Sequence, residues 1–351
     1  MSVWSVPIAA QADPSTFLEG LLSTRINIGT ALRIAASDSQ NVVRALLVTE
    51  AQRDPSFPRL LVEADQDFIG GSFARRTKIA PLDDIDIYIP LDGGGFVHAC
   101  PGMQSCPLLS DNPTLWNPLQ GSKWMGAENI SSGALLDAFA DVLRQYYPNT
   151  TRIRKPVGEA VRVQMTSGPT AAGDDLGYDV TPCLVLDYPH ARELRVYLVP
   201  DGNNGWFRTN PRYDVALTDA LSARTNKNFR KAVKIVKFWN SSIFHNTLSS
   251  YYIELALQKA ALEHVSKSND KSIEPLSCAV AFAFSALNQA VRSGSLNSWV
   301  TGAPRVMPGS LAASDYDLLE SLSSVASQAW EHERQWQLQE AVLRWELIFG
   351  A

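Results

Sequence analysis

The chain has little of what would make it a disulfide scaffold, a membrane protein or a coat for nucleic acid. Its 4 cysteines in 351 residues are too few for a stapled framework, and a chain of this length buries a sizeable core without one. No apolar run reaches the ~20 residues that span a bilayer. The opening MSVWSVPIAAQADP lacks the charged n-region of a signal peptide. The expected location is therefore the cytoplasm, with no membrane partner. A formal net charge of -5 argues against a stable nucleic-acid complex, while leaving room for a local basic groove. Cys183 and Cys278 lie in apolar patterns and read as small core residues. His98, Cys100 and Cys106 approach a metal pattern, but zinc needs a fourth ligand and none is adjacent, so an ordinary loop is the plainer reading.

What is present centres on FIGGSFARRTKIAPLDDIDIYIP, Phe68 to Pro90. Its last part alternates as a strand, so Ile85, Ile87 and Ile89 share one face and Asp84 and Asp86 the other. Asp83 falls with the isoleucines by parity and reads as a turn or capping residue. Two carboxylates side by side raise each other's pKa unless a positive charge sits between them. Mg²⁺, which prefers a few carboxylates plus substrate phosphates, is the usual remedy. The glycines before Ser72 let the backbone approach a phosphate, and the N–H groups that follow form an anion-binding concavity to which Ser72 adds a hydroxyl. Gly71 and Ser72 are thus candidate nucleotide-binding residues, and Asp84 and Asp86 candidate metal ligands.

Along the chain, apolar spacings from Phe17 to Ala35 and from Asn41 to Glu50 predict helices closed by Pro55 and Pro58. Asp92 to Ile130, with Gly93, Gly94, Gly95, Trp116 and Trp124, reads as an insertion or long loop beside the site, or as a plain connector. Ser131 to Tyr147 predicts a helix with Ser131 or Ser132 as its cap. Two further strands follow, Ala160 to Met165 and Gly177 to Leu186. The second carries Asp179 among apolar residues, where an unpaired acid would cost several kcal/mol or lose its charge. Its partner is either the metal held by Asp84 and Asp86 or a base such as Arg162. A turn run, Asp-Gly-Asn-Asn-Gly, predicts a hairpin before Pro211. From there the composition turns helical, which places a lobe boundary at 210/211. In the helix from Asn226 to Trp239, Lys227, Arg230, Lys234 and Lys237 form one stripe, opposite an apolar face of Phe229, Val233, Val236 and Trp239.

The order Gly-Ser turn, Thr77, Pro81-Leu82, then an Asp-Ile-Asp strand resembles the nucleotidyltransferase motif of the DNA polymerase beta superfamily. VKFWN followed by LSSYYIEL is similar to the second lobe of the poly(A) polymerase, oligoadenylate synthetase and cGAS branch. With YDVTPC and the ending AVLRWELIFGA, the chain is identified as resembling bacterial cGAS/DncV-like nucleotidyltransferases, the CD-NTases of CBASS anti-phage signalling. Arg76 departs from the pattern, since many members have Gly there.

The resemblance implies an α+β, bilobed fold. Residues 1–210 would form the catalytic lobe, a mixed β-sheet flanked by helices, and residues 211–351 a helical nucleotide-binding lobe. It implies that Asp84, Asp86 and Asp179 hold two Mg²⁺ or Mn²⁺ ions, that Lys237 and Ser250 hold the donor triphosphate, and that Tyr251 stacks on the base. It further implies a cyclic di- or trinucleotide made from NTPs, ATP or GTP foremost, with pyrophosphate released. The implied partners are an effector activated by the product and a regulatory or ubiquitin-transferase-like protein. Two alternatives stand beside it: a nucleotidyltransferase acting on RNA or another acceptor, and a catalytically inactive nucleotide-binding scaffold.

Overall fold

The structure, a computed structural model, describes residues 13–61, 68–92, 96–98, 108–110, 120–124, 127–149, 152–153, 160–165, 176–186, 192–202, 204–267, 273–300, 303 and 305–350. Helix α1 (Pro14–Leu21) and a π-helical turn (Leu22–Ile26) lead into α2 (Thr30–Arg53). Strand β1 (Phe68–Ile69), the short helix α3 (Gly71–Ala74) and β2 (Ile85–Leu91) follow. Next come β3 (Phe96–His98), β4 (Leu108–Ser110), β5 (Gln120–Trp124) and β6 (Ala127–Ile130), then α4 (Ser132–Tyr146). The strands end with β7 (Arg152–Ile153), β8 (Val161–Met165), β9 (Leu176–Val185), β10 (Tyr197–Pro200) and β11 (Trp206–Thr209). Beyond them are α5 (Pro211–Arg224), α6 (Asn228–Ser242), α7 (Ser250–Lys267), α8 (Leu276–Ser293), α9 (Ala313–Arg334) and α10 (Leu338–Phe349).

The main sheet is mixed and is organised around β9. On one edge β9 runs parallel to β2; on the other it pairs antiparallel with β8 along its first half and with β10 along its second. Buried on both sides, β9 is the strand on which the others converge. The alternation read for β2 holds: Ile85, Ile87 and Ile89 are all buried, in one apolar cluster with Val43 and Leu47 of α2 and Leu135, Leu136 and Phe139 of α4. Ser131 caps α4, its hydroxyl accepting from the Ala134 amide at 3.2 Å. The turn before residue 206 does form the hairpin β10–β11.

A second apolar cluster unites α5 to α10, with Trp239, Phe284 and Trp345 near its middle. Phe17, Leu18, Leu21, Leu22 and Ile26 belong to that cluster as well, so the N-terminal segment crosses to the helical body. α1 packs there on α8 and α10.

The region read as a long loop holds regular structure: β3, β4, β6 and β5 form a four-stranded antiparallel sheet in that order. Strands of three to five residues are too short for alternation to stand out between glycines and prolines. Cys100, Cys106, Gly93, Gly94, Gly95 and Trp116 lie outside the described residues.

Candidate active site

A cleft of about 620 Å³ opens between the main sheet and the helical body. Gly71, Ser72, Asp84, Asp86 and Asp179 line its sheet side, and Asp214, Ser250, Tyr251 and Glu254 its helical side. The sheet side is set by register. Asp86 of β2 is directly opposite Asp179 of β9, which is directly opposite Arg162 of β8. Opposed residues on neighbouring strands point to the same face, so these three side chains form one row. Asp84 lies one pleat before Asp86 on the same face.

Gly71 brings the turn onto this row. Its φ is +59°, and a Cβ there would sit 1.6 Å from Asp86 Oδ2. Only glycine permits that approach of backbone to carboxylate. The Thr77 and Lys78 amides both donate to the Ser72 carbonyl, at 2.9 and 3.0 Å, and close the turn.

Asp84 and Asp179 each carry a protein cation. The Lys78 ammonium bridges Asp83, at 2.5 Å, and Asp84. Burial pushes the Asp84 carboxyl up, but the charge and hydrogen bond of Lys78 outweigh it and hold Asp84 below the usual carboxylate range. Asp83, the residue set apart by parity, is exposed and paired with Lys78. Arg162 Nη1 donates to both oxygens of Asp179 at 3.2 Å, so the base weighed as the partner of Asp179 is the one bonded to it. As the side chains stand, no three metal-ligating groups converge on a point among the described residues. The donor set still suits a hard divalent cation: it is all oxygen and it faces one cleft.

On the helical wall, Ser250 is exposed to the cleft at the start of α7. Tyr251 is oriented from two sides: its hydroxyl donates to Asp214 Oδ2 at 3.1 Å, and the Arg75 guanidinium lies 5.7 Å from its ring centroid. Burial pushes the Asp214 carboxyl up to about 6, against the opposing charge of Arg75 and the bond from Tyr251.

Lys237 is not brought to the cleft. It is 5% exposed, and its ammonium donates to Glu254 Oε1 at 2.9 Å. Arg75 and Glu254 line the cleft, and Lys237 lies behind them. The stripe on α6 therefore turns inward at its C-terminal end, where α7 packs on it and supplies a carboxylate. Of the candidate residues, Gly71, Ser72, Asp84, Asp86, Asp179, Ser250 and Tyr251 line one cavity, and Lys237 stands apart.

Sequence reasoning missed Arg75, Lys78, Asp214 and Glu254. A signal existed for the last: Glu254 and Gln258 sit four apart within the otherwise apolar YYIELALQKAA, a spacing that puts both on one buried face of a helix.

The site thus consists of a parallel strand pair carrying a row of aspartates, a Gly-Ser turn folded onto it and a helical body across the cleft. No family model matches the chain. A probable cyclic nucleotide synthase of Bacillus cereus (strain VD146) is 25% identical over 321 residues, 84% of each chain. The structure of E. coli MS115-1 CdnC with ATP superposes with a TM-score of 0.61 at 17% identity, covering 97% of this chain and 99% of that one. The CdnC:HORMA-deltaN complex gives 0.60 at 18% identity, with 97% of both chains covered. The chain is thus similar in sequence to a probable cyclic nucleotide synthase and shares the fold of CdnC. Among the described residues no helix is long and apolar enough to cross a membrane.

Proposed function

We propose that the chain joins NTPs into a cyclic di- or trinucleotide, releasing pyrophosphate, as a signal in anti-phage defence. The observation that carries this reading is the row Asp86–Asp179 with Asp84 one pleat away, facing a cleft whose opposite wall presents Ser250 and Tyr251. The B. cereus relative, itself a probable cyclic nucleotide synthase, supports the cyclic product. The division at 210/211 is retained for the two main lobes, with the segment Pro14–Ile26 assigned to the helical one.

In this mechanism the Gly71–Ser72 turn and Ser250 bind the donor triphosphate from opposite walls, and the Tyr251 ring takes the donor base. A base stacked on an aromatic ring gains about 1–3 kcal/mol with little regard for its identity. Asp84, Asp86 and Asp179 would hold two divalent ions, Mg²⁺ or Mn²⁺; bound there, such ions lower the pKa of an attacking ribose hydroxyl and neutralise the leaving pyrophosphate. To take part, Asp84 leaves Lys78 and Asp179 loosens from Arg162. After the first transfer the linear product turns in the cleft and offers its own triphosphate as donor. The downstream partner would be an effector that reads the product. A regulatory partner is in keeping with the HORMA complex of CdnC.

The test is incubation with all four NTPs and Mg²⁺ or Mn²⁺, then phosphatase treatment and mass spectrometry. A phosphatase-resistant cyclic product is expected. Product that forms only with added RNA would favour an RNA-extending enzyme, and nucleotide binding without pyrophosphate release would favour the scaffold.

A further inference from the structure

Away from the cleft, four cations from three parts of the chain meet, and the proposed chemistry uses none of them. They are Arg33 near the start of α2, Arg76 just after α3, and Arg230 and Lys234, one turn apart on α6. None of the four lines the cleft. Hydrogen bonds and a ring contact bring them together. Arg230 Nε donates to the Arg75 carbonyl at 3.0 Å, which sets it beside Arg76. The Arg33 guanidinium lies 5.4 Å from the Phe73 ring centroid, and the Phe73 carbonyl accepts from the Arg76 amide at 3.1 Å. Lys234 Nζ donates to Asn27 Oδ1 at 2.8 Å, in the segment that leads into α2. Among the described residues, Asp219, paired with Arg230, is the only carboxylate bonded to any of the four. Burial and like charge act together here. Arg33 is lowered by burial and by Arg76, Arg230 by burial, Arg76 and Arg33, and Lys234 is pushed down to about 8 by burial, Arg33, Arg230 and Lys237.

We propose that Arg33, Arg76, Arg230 and Lys234 form a binding site for an oligophosphate, a di- or triphosphate group, separate from the nucleotide cleft. Crowded cations oppose one another's charge, and a multivalent anion set among them turns that repulsion into attraction. Three of the four are arginines, whose planar fork donates parallel, charge-assisted bonds to phosphate oxygens. Charge sets the size of the ligand. Four cations less the Asp219 carboxylate leave a formal charge of +3, more than the about 1.5 to 2 negative charges of a single phosphomonoester. Arg76 supplies an independent argument. It holds φ at +59° and is exposed, so an arginine there costs backbone strain and adds a further cation to the crowd. Strain of this kind persists where the side chain has a task, and an anion gives it one. A nucleic-acid duplex asks for cations along a track that follows its backbone. These four converge instead, and two carboxylates, Asp219 of α5 and Glu19 of α1, are bonded to Arg230 and Lys231 beside them. The site does not depend on which product the cleft makes.

The probe is inorganic tripolyphosphate, titrated by calorimetry into the full chain at about 0.15 M salt. EDTA is present so that no divalent ion bridges the anion to the cleft carboxylates. Arg76→Gly and Lys234→Gln are compared with the wild type and with Ser250→Ala, a control on the cleft wall. Each of the first two is expected to weaken binding about tenfold, the loss of one charged hydrogen bond, while Ser250→Ala binds as the wild type does. Arg76→Gly, relieved of its backbone strain, is expected to melt no lower than the wild type in buffer and to gain less when tripolyphosphate is added. Weakened binding in that variant is then not damage to the fold. Tripolyphosphate is also expected to slow amine labelling of Lys234 and to leave the exposed Lys267 unaffected. A non-hydrolysable ATP analogue separates two sources of the anion. Tighter binding than tripolyphosphate, weakened by the same two substitutions, supports the site with a nucleotide as its ligand; weaker binding, reduced by the same two, supports it with the inorganic anion. No binding of tripolyphosphate to the wild type would overturn the proposal. So would binding that Ser250→Ala weakens and the other two leave intact, which places the anion in the cleft. A short DNA or RNA duplex that binds through Arg76 and Lys234 where tripolyphosphate does not would overturn it in favour of a nucleic-acid surface.

Discussion

Two clusters of charge face each other across this cleft, and they differ in one respect that governs their use. In the sheet cluster, Asp84 is one-third exposed and Arg162 about one-fifth. Asp179 itself is buried, but water reaches Asp84 and Arg162, so one member of each ion pair stays solvated and the pairs are more open to exchange than a pair buried at both ends. In the helical cluster, the side chains of Arg75, Lys237 and Glu254 are all 6% exposed or less. Glu254 is pushed up by burial, but Arg75 and Lys237 overcome this and leave it at about 2. Similar residue types thus serve two ends: the wetter cluster is suited to trade partners during a reaction, and the drier one to hold its partners throughout.

Stability measurements can break that contrast. Glu254→Ala leaves two buried cations without their carboxylate and should cost about 3–5 kcal/mol in chemical denaturation. Asp84→Ala, releasing a partly solvated pair, should cost about 1 kcal/mol or less; equal losses would erase the distinction. A second prediction concerns pH. The Asp214 carboxyl is raised from 3.8 to about 6 in the folded chain, so between those values the folded state holds more protons than the unfolded one. Stability from this group is then greatest at low pH and falls as pH rises through that window, by about 3 kcal/mol at most. Asp214→Asn should remove that slope, read as the difference between wild-type and variant unfolding from pH 4 to 7; a variant that tracks the wild type would place Asp214 in a wetter setting. On the cleft surface, Tyr251→Ala should raise the nucleotide KM by about 5- to 150-fold, the equivalent of 1–3 kcal/mol, with a smaller effect on melting. An unchanged KM would remove the stacking role. The smallest effect is expected at Arg76, which holds φ at +59°, a conformation costly for any residue but glycine. Arg76→Gly should stabilise by about 1 kcal/mol, less whatever chain entropy the glycine adds.

Arg76 also shows what the sequence could and could not disclose. Its departure from glycine was visible in the string, but the left-handed backbone that makes the departure costly was not. The carboxylate strand was legible because parity is a local property: Asp84 and Asp86 oppose Ile85, Ile87 and Ile89 whatever the rest of the chain does. The hairpin before Pro211 and the cap at Ser131 were legible for the same reason. Asp179 was legible as an acid needing a partner, while the choice between Arg162 and a metal depended on pairings between distant strands. Lys237 shows the limit most clearly. Its stripe lay opposite the apolar face and its motif pointed to the donor triphosphate, while the packing of α7, which brings Glu254 onto α6, buries it beside that carboxylate. The small sheet β3–β4–β6–β5 escaped because each strand is too short for more than one or two repeats of its alternation to show.

The most direct test of the central claim is pyrophosphate release from NTPs by Asp84→Ala/Asp86→Ala beside the wild type, with Mg²⁺ or Mn²⁺ and with melting curves for both. The expected result is a folded double variant whose release falls at least about a hundredfold. A folded double variant that releases pyrophosphate at near the wild-type rate would contradict the assignment of the carboxylate row as the centre of the chemistry.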